Sequence, residues 1–368
     1  MESIQDQTRV ERISSSNSNK VSYPNAIKVW LVVGLFMIFV QVVVGGITRL
    51  TGSGLSITKW EIVTGTLPPL NAAQWEEEFE LYKATPQYEK INEGITLPYF
   101  KFIYFWEYIH RLWARLMGFV FIIPFAIFYF KGWFDRKLLR QLGVVIMMAA
   151  TVASFGWIMV ASGLINRPWV NAYKLTMHLS LAFMLYSYLL WTTLRVIQPY
   201  PQVINNKSVK KWVLFLTVTA AIQIVIGGIM SGMKAALFYP TWPDMNGEII
   251  PAILFNLSEW NASNFINYDT GSFMAAFVQT THRLIAYLLF FSGLAFFFTF
   301  ARVTLNNHFK KGMMVFLSLL GIQVFLGIMT LLYSVGTIPV GLGVMHQAGA
   351  LLLFSSLIYW CYLVSKKA

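Results

Sequence analysis

Eight continuous apolar runs decide what this chain can fold into, at roughly 27–48, 99–130, 139–164, 172–195, 212–233, 272–301, 313–335 and 343–364. As a helix, about 20 apolar residues span the roughly 30 Å hydrocarbon core of a bilayer. In lipid every backbone N–H and C=O must be paired inside the protein, and these runs are too long and unbroken for barrel strands. With 57% of residues apolar and 12% charged, the sequence predicts an all-α membrane protein of eight transmembrane helices.

The net charge of +12 could signal a polyanionic partner, but its distribution points elsewhere. With the N-terminus placed in the cytoplasm, most Lys and Arg fall on the inner side. They cluster at Lys131, Arg136, Lys137 and Arg140, at Arg195, Lys207, Lys210 and Lys211, and at Arg302, Lys310, Lys311, Lys366 and Lys367. This is the positive-inside pattern, so the partner it implies is the lipid bilayer, not nucleic acid, and both termini are predicted to be cytoplasmic. Residues 1–26 read as a polar tail. Their acids Glu2, Asp6 and Glu11 and the lack of an apolar core argue against a signal or transit peptide, favouring a bacterial plasma membrane. Cys361 is the only cysteine, so no intrachain disulfide is expected.

The chain is written twice. Glu107-Tyr108-Ile109-His110-Arg111-Leu112 returns as Gln279-Thr280-Thr281-His282-Arg283-Leu284, and each is followed by a second histidine on a later run, His178 and His346. Gln41-Val42-Val43-Val44-Gly45-Gly46 has relatives in Gln223-Ile224-Val225-Ile226-Gly227-Gly228 and Gln323-Val324-Phe325-Leu326-Gly327. These features predict a duplicated four-helix unit, residues 27–198 and 212–368, joined by an inner linker at 199–211. The glycines are read as points of close helix approach. The glutamines either cap a cofactor edge or bond between helices, and the sequence leaves both open.

All four histidines sit on runs predicted to cross from outside to inside, roughly 10 to 18 Å along each helix at 1.5 Å per residue. Ionisable groups at that depth face the bundle interior and mark function, and neutral imidazole is a ligand for haem iron. One such histidine could simply bond a neighbouring helix; four in two duplicated pairs point to two haem-iron sites. Zinc or copper would need three or four convergent ligands, and Cys and carboxylate partners are scarce here. His308 falls in a basic inner segment and reads as solvated. Glu107, three residues before His110, shares its helix face, whereas the second module has Gln279. Either Glu107 forms an ion pair with Arg111 at i+4, or it marks the first module as the one that performs chemistry. Arg111 and Arg283, with Arg115 and Arg49, could steady haem propionates or snorkel to the interface. The long outer loops, 49–98 and 234–271, are rich in Trp, Pro and Leu and are predicted to be ordered lids; Trp75-Glu76-Glu77-Glu78-Phe79-Glu80 has helical spacing.

On these residues the chain resembles the haem A synthase family, in the form found in mitochondria and many bacteria. The resemblance runs through Gly45-Gly46-Ile47-Thr48-Arg49-Leu50-Thr51-Gly52-Ser53-Gly54-Leu55-Ser56-Ile57-Thr58-Lys59-Trp60. It continues in Gly65-Thr66-Leu67-Pro68-Pro69-Leu70, Tyr82-Lys83-Ala84-Thr85-Pro86-Gln87-Tyr88, Glu107 and the four histidines. It implies two pseudo-symmetric four-helix bundles and oxidation of a ring methyl of haem O to the formyl of haem A, by two hydroxylations and loss of water. It also implies one resident haem b held by His282 and His346, a haem O site at His110 and His178, and a requirement for Glu107. Haem O synthase, terminal oxidase assembly factors and an unidentified electron donor are the implied partners, with homo-oligomerisation open. Some bacterial members carry a cysteine pair in the first outer loop; this sequence has none there. The competing readings are a di-haem b electron carrier and a haem-handling transporter.

Overall fold

The computed structural model describes residues 22–58, 67–163, 168–199, 201, 204–300 and 307–365, without the side chains at 162, 163, 307 and 308. Most of the predicted tail, Lys59, Trp60, Gly65, Thr66, Arg302, Lys366 and Lys367 lie outside the described residues.

Among the described residues, the apolar runs form eight helices long and apolar enough to cross a membrane. They are α1 (Asn25–Leu50), α4 (Leu97–Phe130), α5 (Arg136–Gly163), α6 (Ala172–Ile197), α7 (Lys207–Gly232), α9 (Phe273–Phe300), α10 (Asn307–Leu332) and α11 (Val340–Ser365). The remaining α-helices are short: α2 (Ala72–Lys83), α3 (Pro86–Ile91) and α8 (Ala262–Ile266). The acidic segment is therefore helical, as α2. Helix α10 begins before its apolar run, so the backbone of His308 lies in its first turn rather than in a loop.

Side chains start several helices. The carbonyl oxygens of Asn171 and Asn206 accept from the first free N–H groups of α6 and α7. Thr85 does the same for α3, with a proline in the first turn where the missing N–H costs nothing. Within the spans, Thr176, Ser187 and Thr193 return their hydroxyls to the carbonyl four residues back, which keeps them paired without water.

Equivalent pairings recur in the two halves of the sequence. Helix α1 packs on α4 as α7 packs on α9; α5 packs on α6 as α10 packs on α11; α1 packs on α6 as α7 packs on α11. Between halves, α6 lies on α7 and α11 on α1. The largest buried cluster draws on both halves, joining Val42, Phe183 and Tyr186 to Phe296, Phe316, Phe354 and Trp360.

The paired glycines explain much of this packing. A Cβ on Gly232 would stand 2.7 Å from the backbone of Ala172, one on Gly46 2.9 Å from Gln347, and one on Gly228 3.2 Å from Thr176. Each brings α1 or α7 against a helix of the other half. Arg49 adds a polar lash, donating to the carbonyls of Ser231 and Gly232 at 3.2 and 3.0 Å. Those C-terminal carbonyls have no partner within α7, and a cation suits that end of the helix dipole. This contact also places the ends of α1 and α7, and the two long loops that follow them, at the same end of the bundle.

Gly232→Ala is expected to push α6 from α7 and to destabilise the protein by about 1–3 kcal/mol, read as a lower apparent Tm in detergent. Gly321→Ala, where an added Cβ meets nothing within 4 Å, should leave Tm unchanged or raised.

Candidate functional site

Each of the four histidines points at a glycine on a neighbouring helix. A Cβ on Gly45 would lie 3.0 Å from His110 Cε1, on Gly156 2.9 Å from His178, on Gly227 3.1 Å from His282, and on Gly327 2.9 Å from His346. A Cβ at Gly156 or Gly327 would force the ring out of its place, and one at Gly45 or Gly227 would make it give by a few tenths of an ångström. Gly45, Gly227 and Gly327 are each five residues from the ends of their helices at Leu50, Gly232 and Leu332. At 1.5 Å per residue that is about 8 Å from the loop end, so the slots lie at one level.

The glutamines bond between helices. Gln41 Nε2 donates to the carbonyl of His110 at 3.1 Å and lies 3.2 and 3.3 Å from its two ring nitrogens. Gln323 repeats this on His346, 3.0 Å from the carbonyl and 3.1 and 3.4 Å from the ring. Gln223 reaches only the carbonyl of His282, at 3.0 Å. The fourth slot differs: Val152 stands where the others have glutamine, and His178 Nδ1 lies 3.0 Å from its backbone carbonyl.

His110 lies within electrostatic reach of His178, and His282 of His346. Among the described residues, no three or more His, Cys, Asp or Glu gather as a metal cluster, so the donor set is two imidazoles per module. A porphyrin, which brings its own four equatorial nitrogens, fits such a pair. The carboxamide oxygens of Gln41, Gln223 and Gln323 and the Nδ1 of His282 are buried with no partner. Buried polar atoms left in that state are expected only where something else completes them.

Above the histidines, both modules fasten a loop to the helix that carries the first histidine. Glu107 is 3% exposed. Its Oε1 accepts from Arg111 at 2.5 Å, and its Oε2 accepts from Ser56 N at 2.7 Å, Ser56 Oγ at 2.7 Å and Ile57 N at 2.9 Å. Arg111 also donates to the Ile57 carbonyl at 3.2 Å. The ion pair anticipated at i+4 is therefore formed, and it is also a latch for the first loop. In the second module Gln279 Nε2 donates to the Tyr239 carbonyl at 2.7 Å. Arg283 donates to the carbonyls of Thr241 and Asp244, each at 2.7 Å, and more loosely to Tyr239 and Pro243. Arg115 follows Arg111 one helical turn along α4.

The loops are ordered by ordinary chemistry. Phe79, Tyr82, Phe100 and Tyr104 form one buried cluster that seats α2 and α3 on α4, and burial pushes the Tyr82 hydroxyl up to about 12. Burial, then the neighbouring Arg49, lowers the ammonium of Lys234 below its usual range. The Thr241 hydroxyl and the Gly247 N–H hold the Asp244 carboxyl below the ordinary carboxylate range.

The family model described as "Cytochrome oxidase assembly protein" matches residues 28–358. The chain belongs to this family. Several of its relatives bear the name "Heme A synthase". The protein of Flavobacterium psychrophilum is 41% identical over 346 residues, 92% of this chain and 98% of its own. That of Nitrosospira multiformis is 39% identical over 350 residues, 94% and 96% of the two chains, and that of Agrobacterium fabrum 38% identical over 335 residues, 91% and 89%. The family match covers all eight spanning helices except the outermost turns of the first and last.

Sequence reasoning did not find Gly156, Ser56, Ile57 or Tyr239. The third apolar run keeps the glycine but not the glutamine, which hid its kinship with the seventh. Ile57 and Tyr239 act through backbone groups, which no side-chain pattern advertises, and Ser56 acts through its N–H as well as its hydroxyl.

Glu107→Ala should strip the latch and leave Arg111 buried without its carboxylate, a loss of about 3–5 kcal/mol. Amide exchange at Ser56 and Ile57 should quicken more than at the side-chain amide of Gln87, which donates to the Gly52 carbonyl. The Asp244 contribution runs with its depressed pKa: present at neutral pH, it is lost only as pH falls through that lowered value. Protection factors at Asn246 and Gly247, taken relative to the intrinsic exchange rate at each pH from 7 to 3, should fall only at the acid end.

Proposed function

We propose that this protein oxidises the ring methyl of haem O to the formyl of haem A, using a second, resident haem. The observation that carries the reading is an asymmetry between two similar modules: both hold paired imidazoles in glycine slots, and only the first sets a carboxylate beside them. The names carried by its relatives support it.

In this reading His282 and His346 hold a haem b, which supplies one-electron transfer. His110 and His178 bracket haem O. The apolar walls of α1, α4, α5 and α6 exclude water and accept the isoprenoid chain. Arg111 keeps the Glu107 carboxylate in place, and its Oε2, bonded to Ser56 Oγ, is the atom that takes up and returns a proton. Low dielectric strengthens that exchange, because no water competes for the carboxylate. The protein sits in the bacterial plasma membrane with both termini in the cytoplasm and the loop end outside, receiving haem O and delivering haem A toward terminal oxidase assembly.

The test is expression with a source of haem O, followed by haem extraction and mass analysis. Wild type should accumulate formyl haem; Glu107→Gln and His110→Ala should lose it at least about tenfold. Unchanged haem A in Glu107→Gln would remove the carboxylate from the chemistry. Recovery of haem b alone, at two per chain, would make the protein an electron carrier instead.

A further inference from the structure

The second long loop has two parts of different character. The first, Tyr239 to Asp244, is strapped to α9 by Gln279 and Arg283. The second, Ile249 to Ile266, consists of two 3-10 turns, Ala252–Phe255 and Leu257–Glu259, and α8. It turns large apolar side chains outward: Ile249 is 81% exposed, Phe255 70%, Leu257 85% and Ile266 65%.

Helix α9 fixes where this second part sits. Trp260 and Phe265 meet Phe273 and Phe277 edge to face, with ring centroids 5.2 to 6.0 Å apart. At 3.6 residues per turn those two phenylalanines share an arc of about 80° with Leu284, Leu288, Phe291 and Phe298. The latter four are 49 to 69% exposed. On the same helical wheel His282 lies about 160° from Leu284, and Gly293 about 180°. Gly293 faces Leu320 and Phe316 of α10. The stripe therefore points away from both the imidazole and the packed core, and on a spanning helix such a face meets acyl chains. The loop segment covers its first two turns and continues its apolar surface.

The depth follows from length. Helix α9 has 28 residues, about 42 Å against about 30 Å of hydrocarbon. A centred helix overhangs by about 6 Å at each end, which is the rise from Phe273 to Phe277. Trp260 thus stands where headgroups give way to acyl chains, the level at which tryptophan is enriched.

Polar groups of the segment are satisfied from within. Trp260 Nε1 donates to the Leu254 carbonyl at 3.0 Å. Glu248 accepts from Ala252 N at 2.7 Å, and Glu259 from the Asn264 side chain at 2.8 Å. Two bonds tie the adjoining chain to the start of α6: Tyr173 donates to the Phe265 carbonyl at 2.5 Å, and Ala172 N to the Tyr268 hydroxyl at 2.9 Å. Residues 235–282 contain no Lys or Arg, so attraction to anionic headgroups has nothing to act on.

We propose that residues 249–266 are a foot in the bilayer interface. Phe255, Leu257 and Ile266 insert among the acyl chains of the leaflet at the loop end, and lipid, not a partner protein, covers this face. Binding is by apolar burial alone, so neutral and anionic lipids serve equally. The leaflet then holds the far end of the loop whose near end Arg283 holds.

The experiment places the full-length protein at one copy per phosphatidylcholine nanodisc, with nitroxides on Leu257→Cys and, separately, Ile266→Cys in a Cys361→Ser background. Electron paramagnetic resonance reads collisions with oxygen, which concentrates among acyl chains, and with a water-soluble nickel chelate. Glu93→Cys supplies the aqueous reference and Phe291→Cys the lipid one. The oxygen-to-nickel ratio at 257 and 266 should exceed that at 93 by at least about threefold, in the direction of 291. It should not change when phosphatidylglycerol replaces part of the phosphatidylcholine. A ratio equal to that at 93 would put the segment in water and overturn the proposal, as would a rise seen only with phosphatidylglycerol. Nitroxides shielded from both reagents, at one copy per disc or only at two, would show that protein covers the face, and the proposal would fail.

Discussion

A histidine ring enters the interface of two membrane helices only where the facing helix gives up its side chain. That steric condition is met four times here, and most of the architecture follows from it. Gly45 and Gly227 admit the rings of His110 and His282, and the very next residues, Gly46 and Gly228, rotated about 100° around the helix, admit the other half of the protein. One dipeptide thus meets two demands on two faces: it opens a slot for an imidazole ring and closes a core.

Polar groups in this bundle are few, and nearly every one is tied to backbone. The glutamines grip histidine carbonyls, Arg49 grips the end of α7, and Arg283 gathers the carbonyls of a loop. In a medium without water, main-chain oxygen is the most abundant acceptor available, so residues that look like free charges in the sequence become fasteners. Glu107 shows how far this goes. Its two oxygens hold one arginine and three loop donors, so the loop that covers the site is fastened to the carboxylate beneath it.

The helices were legible because a 20-residue apolar run admits one solution in lipid, and the histidine pairs were legible because intramembrane imidazoles are rare. What the glycines do was only half legible. Close approach could be read from their size, but the partner of each depends on which face it occupies once eight helices are assembled. The arginines were ambiguous for the same reason: Arg111 and Arg283 have the reach for propionate, interface or loop, and only the folded backbone shows Ile57 and Thr241 within their grasp. Gly156 was missed because kinship was sought through glutamine, and that slot has Val152 in its place.

The packing of α11 against both α1 and α6 has a consequence for how the molecule is made. Helices enter the bilayer in the order of translation, so the first four arrive well before the one that covers them. Until α11 is inserted, Gly46 faces lipid or a chaperone where Gln347 belongs, and the Ile204 amide lacks the Leu363 carbonyl it later meets. The front half therefore matures retroactively: the faces of α1 and α6 turned to the other half acquire their final cover only after nearly the whole chain has left the ribosome.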